Sequence, residues 1–278
     1  MRLNFISYKE LVNDTRALAS KLKPHDLVVA IPRSGLIPGC IISELWGKPL
    51  TTPDMVAKDK PEVLSYGRRL QGGLPSIGSI LVIDDSFNHG NELDKCKEKL
   101  KSVPKGIHIT YAAVYGRKND KGCLCYKLVP QPRQFEWNWL HHESIEATCF
   151  DMDGVLCVKP THMENDYGDN YEVFLKFTKP KFIPQVAIPA IITGRLEKYR
   201  PQTEAWLDKH NVNYKELIMR KDPGTPHAEH KANHLKLDRL KHCKFVEDEP
   251  AQAKAIANLA DRPVICVSEM KVYNKEVN

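Results

Sequence analysis

The chain has 278 residues, 42% of them hydrophobic, which is enough for two domains of ordinary size, each with its own core. Its 41 Lys and Arg against 35 Asp and Glu leave a formal charge of +6, too mild an excess for a dedicated nucleic-acid binder and better suited to small phosphorylated molecules. No apolar run approaches the roughly 20 residues that span a bilayer, and Lys9, Glu10, Asp14 and Arg16 interrupt the first turns, so a membrane span and a targeting peptide are excluded and a cytoplasmic location is expected.

Tyr8, Leu11, Val12, Thr15, Leu18, Ala19 and Leu22 fall on one helical stripe, and Leu27 to Ile31 is a continuous apolar run closed by Pro32. Ile31-Pro32-Arg33-Ser34-Gly35 ends that strand and opens a helix over Leu36 to Trp46; the Arg33 charge and the amides around Ser34 and Gly35 suit a pyrophosphate. The next apolar run, Ile80 to Ile83, ends in Asp84-Asp85 and is followed by Ser86-Phe87-Asn88-His89-Gly90-Asn91 and a helix over Glu92 to Lys101. Such a loop, with Asn88, His89, Gly90 and Asn91 at its tip, brings N–H groups and a helix dipole to a 5′-phosphate, while Asp84 and Asp85 take ribose hydroxyls or a hydrated magnesium. Ile107 to Val114 is a further strand. Val129 to Glu146 holds Trp137, Trp139 and His141-His142 without periodicity, and the domain boundary is placed near its end, giving domains 1–144 and 145–278.

Beyond that boundary, strands are expected at Ala147 to Phe150, Val186 to Ile192, Lys244 to Val246 and Pro263 to Val267, with helices over Glu197 to His210 and Pro250 to Ala260. Buried strands alternating with helices give the fold class α/β: two doubly wound parallel-sheet domains.

In the second domain Asp151-Met152-Asp153-Gly154 follows an apolar strand, so two carboxylates project to one side at the strand's end and Gly154 permits a sharp turn. One carboxylate can attack a phosphoryl group while the other, protonated, donates to the leaving oxygen, a divalent cation screening the repulsion. The same string also fits a calcium loop or an acidic turn. Three later elements favour catalysis: Thr193-Gly194, placed to hold phosphoryl oxygens; Lys231, opening a helix, with Lys221 as competitor; and Glu247-Asp248, able to complete a metal's oxygen shell. His227, His230 and His234 read as a polar helix face, and the eight scattered cysteines as reduced thiols.

This order of motifs resembles the haloacid dehalogenase-like (HAD) phosphatase superfamily over about Ala147 to Val267. The resemblance implies Asp151 as nucleophile, Asp153 as acid/base, Thr193 and Lys231 as phosphate ligands, and Mg2+ held by Asp151, Asp153 (through its carbonyl) and Asp248, with Glu247 beside it. Val158 to Gln185 leaves room for only a small cap.

Over about Tyr8 to Val114 the chain is similar to type I phosphoribosyltransferases, with Arg33-Ser34-Gly35 as pyrophosphate loop, Asp84 to Asn91 as ribose-phosphate signature, and Ser65-Tyr66-Gly67-Arg68-Arg69 resembling the flexible loop that closes over pyrophosphate. It departs from that pattern at His89-Gly90-Asn91-Glu92, where hydroxyls are replaced and a carboxylate stands near the expected phosphate. Phe135 to Trp139 and the motif order resemble fused phosphoribosyltransferase–phosphatase proteins. The expectation is a bifunctional nucleotide-metabolism enzyme: phosphoribosyl diphosphate and a nucleobase-like acceptor in the first domain, phosphomonoester substrates in the second. Nucleic acid and membranes are not expected partners, and a homodimer is compatible. The rivals are a phosphatase with a non-catalytic nucleotide-sensing domain and a nucleic-acid end-processing phosphatase.

Overall fold

A computed structural model describes residues 2–58, 62–65, 76–87, 91–117, 122–165 and 168–276. Its elements begin with β1 (Asn4–Ile6), α1 (Tyr8–Lys21), β2 (Leu27–Ala30), α2 (Leu36–Trp46), β3 (Leu50–Thr51), α3 (Pro53–Val56), β4 (Ser79–Ser86), α4 (Asn91–Lys99), β5 (His108–Gly116), β6 (Cys123–Leu128) and β7 (Arg133–Phe135). They continue with β8 (Thr148–Phe150), α5 (Asp169–Phe177), β9 (Ile191–Leu196), α6 (Arg200–Lys209), β10 (Leu217–Arg220), α7 (His227–Leu235), β11 (Lys244–Glu247), α8 (Pro250–Ala260), β12 (Val264–Cys266) and β13 (Lys271–Tyr273). Two compact units result: Ile6–Gln131, and Pro132–Asn278 together with Met1–Phe5. This division falls upstream of the 144/145 boundary read from the sequence. Its cause is local: Trp139 stacks on Phe150 at 6.3 Å and meets Phe182 edge-on at 5.3 Å, so the tryptophan segment is core of the second unit.

The first unit is a five-stranded sheet in the order β3-β2-β4-β5-β6, every pair parallel. Leu27 to Ala30 are buried on both faces, which is why the strand reads as an unbroken apolar run. A capping box starts α1: Ser7 Oγ accepts the Glu10 N–H while Glu10 reaches back to the Ser7 N–H. From β2 the chain moves outward to β3 and then returns to the far side of β2 as β4, so the order reverses between β2 and β4. Such a reversal point is the usual place for the ligand site of an open parallel sheet.

The second unit repeats the scheme with the order β10-β9-β8-β11-β12-β13, parallel except for the last strand. Here the reversal lies between β8 and β11, placing Asp151, just past β8, opposite Glu247 and Asp248. The strand expected over Val186 to Ile192 begins only at Ile191. Pro189 has no N–H for the ladder, so regular pairing starts after it. The strands β6, β7, β10 and β13, three to six residues long, are too short to show a period of their own. Among the described residues, no helix is long and apolar enough to cross a membrane.

Lys244 on β11 is 6% exposed and donates to Gln134 Oε1 at 2.8 Å and Ser144 Oγ at 2.6 Å, with no carboxylate partner among the described residues. Burial pulls its pKa down to about 8 from the ordinary 10.5. Between those values the unfolded chain carries a proton that the folded chain lacks, so stability rises with pH across that window. The full swing is on the order of 3 kcal/mol. Urea unfolding at pH 7.5 and near pH 10 is expected to show wild type gaining on Lys244→Met by a large part of that amount; parallel pH profiles would refute it.

Candidate active site

Asp151 lies 5% exposed at the end of β8, its amide donating to the Val246 carbonyl of β11 at 3.0 Å. Lys231, 1% exposed on α7, donates to Asp151 Oδ2 at 2.7 Å, Glu247 Oε2 at 2.7 Å and Gln252 Oε1 at 3.2 Å. All three ammonium hydrogens are thereby taken. Glu247 is fully buried; its other oxygen accepts the N–H groups of Asp248 and Glu249.

Electrostatics follow from this packing. Burial pushes the Asp151 carboxyl above its ordinary range against the pull of Lys231. Burial and the neighbouring Asp151 raise Glu247 to about 8. Burial opposes the charge on Lys231, but the two carboxylates outweigh it and the ammonium is held above its ordinary value. Two acids sharing one buried lysine therefore lack one positive charge of neutrality.

Carboxylate oxygens of Asp151, Glu247 and Asp248 lie within 4.8 Å of one another. Three hard oxygen donors with surplus negative charge fit Mg2+. Gly154 holds the cradle open: its φ is +80°, and a Cβ there would stand 2.3 Å from the Asp248 carboxyl. Asp248 Oδ2 also meets Lys159 Nζ at 3.1 Å.

Asp153 is tied to Arg195, whose Nε lies 3.2 and 3.1 Å from the two carboxylate oxygens and whose Nη2 lies 2.6 Å from Oδ1. The Arg195 side chain has no exposed surface and is steadied by Thr203 at 3.2 Å. A fork-to-carboxylate pair of this kind fixes orientation as well as charge. Asp151, Asp153, Thr193, Gly194, Lys231 and Asp248 all line one cavity of about 150 Å³. The structure therefore brings these candidate residues read from the sequence around a single space, with Glu247 joined to it through Lys231.

The sequence reading needs correction at α7. Lys231 is in the middle of that helix, not at its start, and Lys221 is exposed and borders a different cavity. His230 is 7% exposed, not part of a polar outer face, and burial lowers its pKa to about 4. No grouping of these histidines with other ligands meets metal spacing among the described residues. His227 packs against Gly194, and burial with Arg220 and Lys231 lowers it to about 4, so its ring is neutral near pH 7. Arg195, Arg220 and Gln252 were given no role from the sequence. Arg195 directly follows Thr193-Gly194, but only the fold shows that it reaches Asp153.

In the first unit, Arg33 and Ser34 precede α2, and Gly35 is its N-cap. A Cβ on Gly35 would lie 2.4 Å from the Ile31 carbonyl and 2.9 Å from Asp84 Oδ1, so glycine lets this loop rest against the acid at the end of β4. Asp84 Oδ1 accepts the Asp85 N–H at 2.8 Å. Burial first, then Asp85 and Glu92, push the Asp84 carboxyl well up. Glu92 is exposed and paired with Lys95 at 2.6 Å. Asn91 opens α4, whereas Asn88, His89 and Gly90, and residues 66–69 of the expected flexible loop, lie outside the described residues.

No family model and no curated protein matches the chain. Among solved structures, a purine phosphoribosyltransferase from Pyrococcus horikoshii Ot3 is 21% identical over 49% of this chain and 94% of its own, at TM-score 0.36. A Helicobacter pylori xanthine-guanine-hypoxanthine phosphoribosyltransferase is 16% identical over 50% of this chain and 93% of its own, at TM-score 0.37. A chain of a Pnkp1/Rnl/Hen1 complex is 16% identical over 95% of both chains, at TM-score 0.32. Similarity at this level carries no argument about chemistry, which rests on the residues above.

Proposed function

We propose that the second unit is a magnesium-dependent phosphomonoester hydrolase working through an aspartyl-phosphate. The observation that carries this reading is the buried Asp151–Lys231–Glu247 network opening, beside Asp153 and Thr193, onto one cavity at the sheet's reversal point. Lys231 holds the Asp151 carboxylate in place and favours its anionic form against the opposing effect of burial. An Asp151 oxygen forms a bond to phosphorus as the ester bond breaks, and the departing oxygen takes a proton from Asp153. Water then attacks the same phosphorus, Asp153 takes a proton from it, and the acyl-phosphate bond breaks to restore the carboxylate. Mg2+, held by Asp151, Asp248 and the Asp153 carbonyl with Glu247 behind, would screen the charge between carboxylate and phosphate.

For the first unit the proposal is binding of phosphoribosyl diphosphate, pyrophosphate at Arg33-Ser34-Gly35 and ribose-phosphate at Asp84-Asp85 and the loop that follows, with transfer of the phosphoribosyl group to a nucleobase-like acceptor. What supports it is the apposition of Gly35 and Asp84 at that sheet's own reversal point. The product of such a transfer is itself a phosphomonoester.

The test is to incubate purified protein with magnesium, phosphoribosyl diphosphate and a panel of bases, following pyrophosphate and inorganic phosphate separately. Phosphate release from simple phosphomonoesters, abolished by chelating magnesium, is expected. Its absence with every ester would overturn the hydrolase. Binding of phosphoribosyl diphosphate without pyrophosphate release for any base would instead leave a sensing domain.

A further inference from the structure

Four cationic side chains of lysine and arginine line the catalytic cavity, and among the described residues three are already matched to carboxylates. Lys159 meets Asp248 at 3.1 Å and Glu249 at 3.2 Å, Arg195 meets Asp153, and Lys231 meets Asp151 and Glu247. The fourth, Arg220, forms no ion pair with a carboxylate among the described residues, its charge being felt only weakly by the exposed Asp222, yet it is only 6% exposed. Its Nε donates to the Gly194 carbonyl at 3.1 Å, and its Nη1 to the carbonyls of Pro223 and Thr225, each at 2.9 Å. Those three bonds fix the plane of the guanidinium and leave Nη2 without a protein acceptor among the described residues.

A buried charge without a counter-charge is costly, and carbonyl dipoles offset only part of that cost. A phosphate dianion entering the cavity supplies what is missing, and Nη2, with both its hydrogens unassigned, is left to donate to phosphate oxygens. The anchor is informative: Arg220 is held by Gly194, the neighbour of Thr193, so its position is set relative to the stretch of β9 read as phosphate-binding. Lys231, by contrast, has no free donor for a phosphate.

We propose that Arg220 binds the phosphoryl group being transferred, and that Lys231 serves the nucleophile Asp151. This rests on the hydrolase reading. As the bond from Asp151 to phosphorus forms and the bond to the leaving oxygen breaks, the charge on the non-bridging oxygens is met by Arg220, while the proton on the leaving oxygen still comes from Asp153.

The test uses the full chain with magnesium, an aryl phosphomonoester that has no other anionic group, and inorganic phosphate and vanadate as inhibitors. Arg220→Gln is expected to lower kcat/KM by about 100-fold or more and to weaken vanadate inhibition by a similar factor. Arg220→Lys, which keeps the charge and loses the geometry fixed by the three carbonyls, is expected to fall between. Added guanidinium ion is expected to restore part of the activity of Arg220→Ala, an effect that a latch on the 220–225 turn would not show. Wild-type vanadate affinity in Arg220→Gln, with any activity loss tracking its thermal midpoint, would reduce Arg220 to that latch and overturn the proposal. So would a defect confined to substrates with a second anionic group. The hydrolase reading fails separately, if the wild type releases no phosphate or Asp151→Asn retains full activity.

Discussion

Asp151→Asn is expected to stop phosphate release from every phosphomonoester, by a factor on the order of 10⁴ or more, because an amide of the same shape has no anionic oxygen to attack phosphorus. The fold is expected to survive. Lys231 keeps Glu247 at 2.7 Å, so the substitution does not strand the buried ammonium. It also removes the carboxylate that, after burial, contributes most to raising Glu247, so part of the lost attraction to Lys231 is offset by relieved repulsion. The wild type incubated with magnesium and beryllium fluoride should trap an acyl-phosphate mimic, and the variant should not. Asp151→Ala serves as a second variant, since it cannot revert by deamidation. Hydrolysis at the wild-type rate by homogeneous Asp151→Ala, with an unchanged circular dichroism spectrum, would remove Asp151 from the chemistry.

Arg195 sharpens this expectation. Asp153 is held by three short contacts from a guanidinium with no exposed surface, so the carboxyl proposed as acid/base is fixed in orientation before substrate arrives. Preorganisation of this kind is where a hydrolase gains rate, and it was invisible in the sequence, where Arg195 reads only as the residue after a glycine.

The sequence showed the architecture where strands are buried on both faces and helices carry full turns: α2 and α8 run over the residues their apolar patterns mark. It marked Asp151, Asp153 and Asp248 as candidates because each sits just past a strand, where parallel sheets place ligands; Thr193, read as ending its strand, lies within β9, which runs on to Leu196. Partnership was not legible. That Lys231 would give all its donors to protein acceptors depends on α7, α8 and β11 converging, which no spacing encodes. The burial of His230 was hidden for a related reason: three histidines at helical intervals look polar, and only the packing of α7 against its sheet turns one of them inward.

Neutralising both acids at the end of β4, as Asp84→Asn with Asp85→Asn, is expected to have opposite effects on the first unit with and without ligand. Without ligand the carboxylates cost stability: burial, Asp85 and Glu92 raise the Asp84 value above that of the unfolded chain. The sign is fixed by that direction. The folded state holds the proton more tightly, so stability is greatest below the unfolded value near pH 4 and falls as pH rises through the elevated folded value. The double variant loses this penalty and should be more stable than wild type at neutral pH. With magnesium and phosphoribosyl diphosphate the order should reverse. Ligand at about 100 times its dissociation constant adds roughly 2.7 kcal/mol to a protein that binds it only when folded. The variant, lacking the carboxylates read as holding ribose hydroxyls, should gain almost nothing. Glu92→Thr, at the start of α4, serves as the control: because Glu92 is exposed and paired with Lys95, restoring a hydroxyl there should change affinity only modestly. Calorimetric titration and thermal unfolding of the three proteins decide the matter. Equal ligand stabilisation in wild type and double variant would remove Asp84 and Asp85 from the site, and a tenfold or greater gain in affinity for Glu92→Thr, with no pyrophosphate release by wild type, would leave a phosphatase carrying a nucleotide-sensing domain.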